Sequence, residues 1–201
     1  VVAGLQAAID NSEALREDSR AFNIIASPGY PEMINNMVSL NNDRRNTAFV
    51  IGDTSMRLAA TSTAIQNWAS NTAADTGNSE DGLVSADPYL GVFYPQGQTN
   101  DLSGNTIVVP SSHMALRTIA RSDDQSFPWF APAGTRRGLV DNVNAIGFIN
   151  SATGEFQVDN IRESLRDTLY SNRVNPITFF NGVGLMNYGN KTRAASSSAL
   201  D

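Results

Sequence analysis

The sequence predicts an α/β fold, a mixed sheet flanked by helices with long polar surface loops, on three observations. Thr47 to Ile51, TAFVI, is a continuous apolar run bounded by polar residues and Gly52, the pattern of a strand covered on both faces. Apolar residues at helical spacing recur away from it, at Met33, Ile34, Met37 and Val38 and again at Ile161, Leu165 and Leu169. Asn181-Gly182 separates Ile177 to Phe180 from Val183 to Met186, a hairpin signal because Asn-Gly tolerates the positive backbone angles of a tight two-residue turn.

Taken in order, Leu5, Ile9 and Leu15, with Ala8 between them, predict a first amphipathic helix whose start Gly4 weakens. Phe22 to Ala26 reads as a short strand ended by Pro28-Gly29. Pro31 suits a helix start, the helix carries one apolar face as far as Leu40, and Asn41, Asn42 and Asp43 stop it. TAFVI is the candidate central strand. Ile65, Trp68 and Ala69 mark a helix capped by Thr61 or Ser62, and Asn71 to Asp87, polar and acidic, reads as a mobile surface loop. Tyr89 to Tyr94 is the next strand, and Gln96 to Asn105 another polar loop. Gly138 to Asn150 holds one strand or two short ones, and Thr153-Gly154 turns the chain. Asn160 and Glu163 have capping-box spacing for a helix to about Tyr170, which Asn175-Pro176 breaks. No internal repeat is visible.

Length and composition set limits. With 201 residues, 41% of them apolar, the chain can bury a substantial core, so residues 1–193 are expected to form one domain. Residues 71–105 are either part of it or a small peripheral subdomain, and 194–201, AASSSALD, is a flexible tail. A net charge of -6 argues against direct nucleic-acid binding, which relies on clustered Lys and Arg. The basic pairs Arg44-Arg45 and Arg136-Arg137 read as solvated loops. Without cysteine there is no disulfide, thiol nucleophile or Cys-ligated zinc. No run approaches the roughly twenty apolar residues of a membrane span, and the N-terminus lacks signal-peptide regions, so no membrane insertion is expected. A start at Val1 without Met suggests an excised piece.

Val109 to Gly134, VPSSHMALRTIARSDDQSFPWFAPAG, carries the most specific pattern. Pro110 ends a strand, Ser111 or Ser112 caps a helix with Leu116, Ile119 and Ala120 at helical spacing, and that helix ends near Arg121. Asp123, Asp124, Gln125 and Ser126 then turn the chain, and Phe127 to Ala131 is extended because Pro128 and Pro132 each disfavour helix before them. This order resembles the tail sheath proteins of contractile-tailed bacteriophages, in which a VPPSG segment, a helix ending in AR-x-D and a W-x-AP-A segment follow one another. Upstream, Phe93-Tyr94-Pro95 fits the resemblance. Downstream, Leu169 to Thr192 resembles the family's LN-x-x-x-NPI, G-x-G and WG-x-RT elements. Pro110, Ser112, Arg121, Asp123, Trp129, Pro132, Asn175, Pro176 and Gly189 are the matching positions, with a structural role implied for each. His113 stands where the family usually has Gly, Gly134 where it often has Asn, Tyr188 where it has Trp and Lys191 where it has Arg.

The resemblance implies a structural subunit and no enzyme. Such subunits form hexameric rings that stack around a tail tube on a baseplate and contract to drive the tube through the host envelope for DNA delivery. Self, tube protein and baseplate are the implied partners, the virion tail the location and the host cytoplasm the place of assembly. The family continues past the WG-x-RT segment, so the chain by itself is expected to be monomeric.

Candidate chemistry is sparse. No catalytic residue, cofactor or metal site is expected. His113 is the sole histidine and adjoins Ser111 and Ser112, but neighbours in sequence do not form a triad, whose geometry spans a fold. Asp53 occupies a strand end where open sheets bind ligands, though Gly52-Asp53-Thr54 lacks the spacing and Lys of a phosphate loop, and a turn-stabilising Asp is the plainer reading. Asp123-Asp124 and Glu80-Asp81 lack calcium-loop spacing. Trp68 and Trp129 read as core anchors more readily than as ligand platforms, although a Trp at a partner surface would be a natural hot spot. The competing functions are a small-molecule-binding protein or hydrolase using a crevice near Asp53, with Ser112 and His113 as actors, and the sheath of a cellular contractile injection system.

Overall fold

The computed structural model describes residues 1–72, 79–127 and 129–195. The chain opens with α1 (Val2–Asp10) and α2 (Glu13–Arg16), then β1 (Ile24–Ala26), a 3-10 turn (Pro31–Met33), α3 (Ile34–Asp43) and β2 (Phe49–Asp53). Next come α4 (Ser62–Ala69), β3 (Leu90–Tyr94), β4 (Gln96–Asn100), β5 (Thr106–Val109), α5 (Ser111–Gln125) and α6 (Gly134–Arg137). The chain then forms β6 (Ala145–Ile149), β7 (Phe156–Val158), α7 (Glu163–Ser171), β8 (Asn175–Phe180) and β9 (Gly184–Asn187).

One sheet has the order β1-β2-β3-β8-β9 and is mixed: the first four strands run parallel and β9 pairs antiparallel with β8. TAFVI lies in its interior, because Val50 and Ile51 pair with Ile25 and Ala26 on one side and with Leu90 and Gly91 on the other. Alternation along β2 gives each face its own helix. A Cβ on Gly52 would stand 3.0 Å from Ile34 Cδ1 of α3, whereas Asp53, the next residue, bonds the first turn of α5. The core fills both layers with Met33, Ile34, Met37, Ile65, Trp68, Leu90, Met114, Leu165, Leu169 and Ile177. Thr61 caps α4 by accepting from the Ala64 amide, as its spacing predicts.

The chain leaves this sheet through Tyr94-Pro95 and enters a second, antiparallel sheet of order β5-β4-β6-β7. The mixed α/β class holds, but the strands divide between two sheets.

Several local expectations change. Of the loop expected over Gln96 to Asn105, only Asp101 to Asn105 is one: Gln96–Asn100 forms β4, which pairs with both β5 and β6, and Gln96 is fully buried, its amide bonded to Thr54 and to the Ser111 N–H. The strand is polar because Gln96 meets internal partners at its start while Gln98 to Asn100 run out towards solvent. Helix α3 continues through Asn41 to Asp43, since the buried Asn41 side chain both donates to and accepts from the Ala48 backbone, pinning the entry to β2. The first amphipathic helix is broken at Asn11 and Ser12 into α1 and α2. Helix α5 runs on to Gln125, with Asp123 and Asp124 on its exposed side. The Phe130 N–H donates to the Phe127 carbonyl at 2.9 Å, a contact an extended segment would not make, and the expectation at Pro128 lies outside the described residues.

Helix α7 begins only at Glu163, and Asn160 does not cap it; Asp159 instead accepts from the Ile161 amide. Asn175-Pro176 does not break that helix but opens β8. The β8–β9 hairpin has a three-residue loop, with Phe180 opposite Gly184, where two were expected. Tyr89 to Tyr94 matches β3, while β7 was not foreseen. Part of the 71–87 loop and residues 196–201 of the expected tail lie outside the described residues, and Ala194 is buried.

The pairing of β6 with β7 depends on Gly147, where a Cβ would stand 2.0 Å from the Gln157 carbonyl oxygen. Gly147→Ala is expected to lower unfolding stability by about 1–3 kcal/mol, because backbone must move to admit the methyl group. Urea denaturation measures this, and an unchanged midpoint would contradict it.

Candidate functional site

The positions singled out by sequence fall into three places. The first surrounds Asp53, at the end of β2. Its Oδ1 accepts from Ser112 N–H at 2.6 Å and lies 2.8 Å from Ser111 Oγ; its Oδ2 accepts from Gly29 N–H at 2.8 Å and Ser112 Oγ at 2.7 Å. The expected helix cap is thus reversed. Pro110 occupies the cap position of α5, Ser111 and Ser112 lie inside the helix, and the carboxyl group of another strand accepts from the Ser112 amide while the Ser111 amide donates to Gln96 Oε1. An acceptor at a helix N-terminus satisfies unpaired N–H groups and suits the helix dipole. Burial pushes the Asp53 carboxyl above the usual carboxylate range, against the pull of the hydrogen bonds from Gly29, Ser112 and Ser111.

Asp53 is 2% exposed and both serines 0%, so the crevice expected beside Asp53 is closed to solvent. His113 points outward, in a surface depression with Leu116, Arg117 and Asn142, and makes no hydrogen bond to Ser112. The geometry builds a clamp between strand and helix, with no nucleophile and base in line. Among the described residues no group of three or more His, Asp or Glu is placed to hold a metal ion, and no helix is long and apolar enough to cross a membrane.

The second place gathers Pro132, Asn175, Pro176 and Gly189 around the strap that follows β9. Asn175 Nδ2 donates to the Val92 and Lys191 carbonyls, and its Oδ1 accepts from Lys191 N–H at 2.8 Å. Tyr188 N–H donates to the Pro176 carbonyl, and Asn187 Nδ2 donates to that of Pro132. Gly189 passes so close that a Cβ would stand 2.8 Å from Asn175 Oδ1, which is why only glycine fits. Beyond it, Arg193 donates to the Asn172 and Ala69 carbonyls, the C-terminal ends of α7 and α4, and its amide donates to Leu90 in β3. Burial, with Arg173 nearby, pulls the Arg193 pKa down to about 10. A cavity of about 290 Å³ opens between this strap and α5, with Phe49, Phe93 and Ile119 in its wall and Asp123 and Lys191 among its polar residues.

The third place is the outer surface of α5 and the segment after it. Arg121 pairs with Asp141 at 3.0 Å, and Arg117 with the same carboxylate at 2.7 Å. The Arg117 hydrogen bond holds Asp141 below the usual carboxylate range. Trp129 is no core anchor: it is 77% exposed and stacked on Phe127 with ring centroids 5.7 Å apart. Trp68 is the buried one, donating to the Ser79 carbonyl. Arg44, read as part of a solvated pair, is buried over the Phe22 ring and donates to the carbonyls of Leu15, Glu17 and Arg20.

The sequence reading missed Gln96, Asn187 and Arg193. Arg193 follows the WG-x-RT-like residues in a segment with no periodicity, and nothing local reports that two helix ends await it.

Comparison with known proteins finds no matching family model. Over 82 residues, 41% of this chain, the sequence is 38% identical to the tail sheath protein of Vibrio phage KVP40. It is 34% identical over 82 residues to the tail sheath protein of Enterobacteria phage T4. The matched stretch is 11% of the length of each relative. Among solved structures, the helical sheath of the anti-feeding prophage in its contracted state matches 98% of this chain and 44% of its own, with TM-score 0.59 and 17% identity. The contracted PVC sheath complex of an extracellular contractile injection system matches 98% of this chain and 45% of its own, with TM-score 0.59 and 18% identity. The resemblance to tail sheath proteins therefore holds in sequence, and the fold is one that contractile sheaths share.

Asn175→Ala removes both sides of the bond to the strap. It is expected to cost about 2–3 kcal/mol, since buried backbone groups lose their partners. Amide hydrogen exchange at Lys191 and Arg193 should accelerate before the rest of the chain does; protection kept at both residues would show that Asn175 does not hold the strap.

Proposed function

We propose that this chain is a piece of a phage contractile tail sheath subunit, with residues 1–193 as one folded block. The observation that carries the reading is the fold match to contracted sheaths over 98% of the chain, and the independent sequence likeness to two phage sheath proteins supports it. A contracting sheath needs subunits that stay rigid while their mutual packing changes from a trapped extended arrangement to a contracted one. The Asp53 clamp and the strap supply that rigidity here. Pro110, Ser112, Asn175, Pro176 and Gly189 are structural residues of the block in this reading, and the chain works without an active site.

Its partners are copies of itself in hexameric rings, the tail tube and the baseplate, in a virion tail assembled in the host cytoplasm. Trp129, stacked and exposed beside Phe127, supplies a subunit contact, as large aromatics do at interface hot spots. A sheath from a cellular contractile injection system is the second reading, favoured by the identity of the solved structures of similar fold. Capsid and terminase genes beside the coding gene would select the phage; secretion or toxin genes would select the other.

Electron microscopy of the full-length parent expressed alone tests the assignment. Sheath-like tubes are expected, with a monomer in light scattering of this chain by itself. Trp129→Ala should leave the fold within about 0.5 kcal/mol, as exposed substitutions do, yet shorten or abolish the tubes. A parent that remains a small soluble oligomer would overturn the reading.

A further inference from the structure

Five short polar contacts converge on Asp53 and Ser111, and four hydrogens are available to fill them. Gly29 N–H and Ser112 N–H each bring one, and the Ser112 and Ser111 hydroxyls one each. Ser111 Oγ, however, lies 2.8 Å from Asp53 Oδ1 and also 2.8 Å from the Phe93 carbonyl oxygen. A hydroxyl has a single hydrogen. If Asp53 is ionised, a single hydrogen must serve both acceptors, in a site that water does not reach. We propose that Asp53 is a proton-binding site that keeps its proton to higher pH than an exposed carboxyl group does, donating from Oδ1 to Ser111 Oγ while Ser111 donates onward to the Phe93 carbonyl.

With that proton every contact is filled. Oδ1 still accepts from the Ser112 amide, and Oδ2 accepts from Gly29 and the Ser112 hydroxyl. The proton continues a chain of hydrogen bonds from β2 through α5 to β3. Its loss leaves one Ser111 hydrogen for two acceptors and places a charge with no ionic compensation where three elements meet.

Neighbouring ionisable groups do not supply that compensation. On α5, His113 is exposed and Arg117 is engaged with Asp141; on β3, the Tyr94 hydroxyl donates to the Leu58 carbonyl. The turn after β1 contributes the Gly29 amide. Burial and hydrogen bonds are the influences acting on Asp53, and burial, which raises its pKa, is the largest. Since the folded value is raised above the unfolded one, the group's contribution to stability is complete below the ordinary carboxylate range. It is lost as pH rises through the folded value. The proton site rests on these contacts alone and is independent of the sheath assignment.

A carboxyl-carbon NMR titration of this chain labelled at aspartate tests the proposal. The Asp53 signal should titrate well above those of the other aspartates. A wild-type Asp53 that titrates with its fellow aspartates would overturn the proposal.

Discussion

The contact on which the architecture depends is that of Asp53 with the first turn of α5. It brings β2, the turn after β1, β3 and α5 to one carboxyl group, across 59 residues of sequence between Asp53 and Ser112. Helix α5 follows β5 of the second sheet but packs on the first, so its N-terminus is where the two sheets are joined. Gln96 reinforces the join: it begins β4, bonds Thr54 just after Asp53 and accepts from the Ser111 amide. A polar seam, fully internally bonded, is thus what orients one sheet on the other. Apolar packing gives such a join its energy, and directional bonds give it a single geometry.

The strap after β9 does the same for the opposite side of the larger sheet. Asn175 replaces missing strand partners with side-chain bonds, and Arg193 caps two helices at once. Cations at helix C-termini meet the negative end of the dipole, which offsets part of the cost of burying the guanidinium. Together these joins leave little freedom within the block. Exposed features such as the Phe127–Trp129 stack and the Arg117–Asp141–Arg121 group lie outside them, where changes of partner do not disturb the core.

Much of this was legible where the signal is local. TAFVI, the Thr61 cap, β3 and the β8–β9 hairpin follow from period, capping chemistry and an Asn-Gly turn. Failures came where polar residues find distant partners. The sequence QGQTN has no apolar pattern because buried Gln96 is satisfied by Thr54 and Ser111 and its other end faces solvent, and Asn41 reads as a stop although it is a buried link to Ala48. Asp123 and Asp124 look like turn formers but sit on a solvated helix face. Trp129 reads as core by residue type, and its exposed position leaves the partner-surface alternative. The family pattern marked Ser112, Asn175 and Gly189 without saying what each does; only their three-dimensional partners show them to be joints.

In the proposed sheath reading, this chain is a rigid block that moves without internal change. Hydrogen–deuterium exchange of the assembled full-length protein, compared between extended and contracted sheath, tests it most directly. The account predicts unchanged protection in both states at Val50, Ile51, Val92, Ile177 and Lys191, with differences confined to exposed surfaces. Loss of protection in β2, β3 or the strap on contraction would show that the block itself rearranges, and would contradict it.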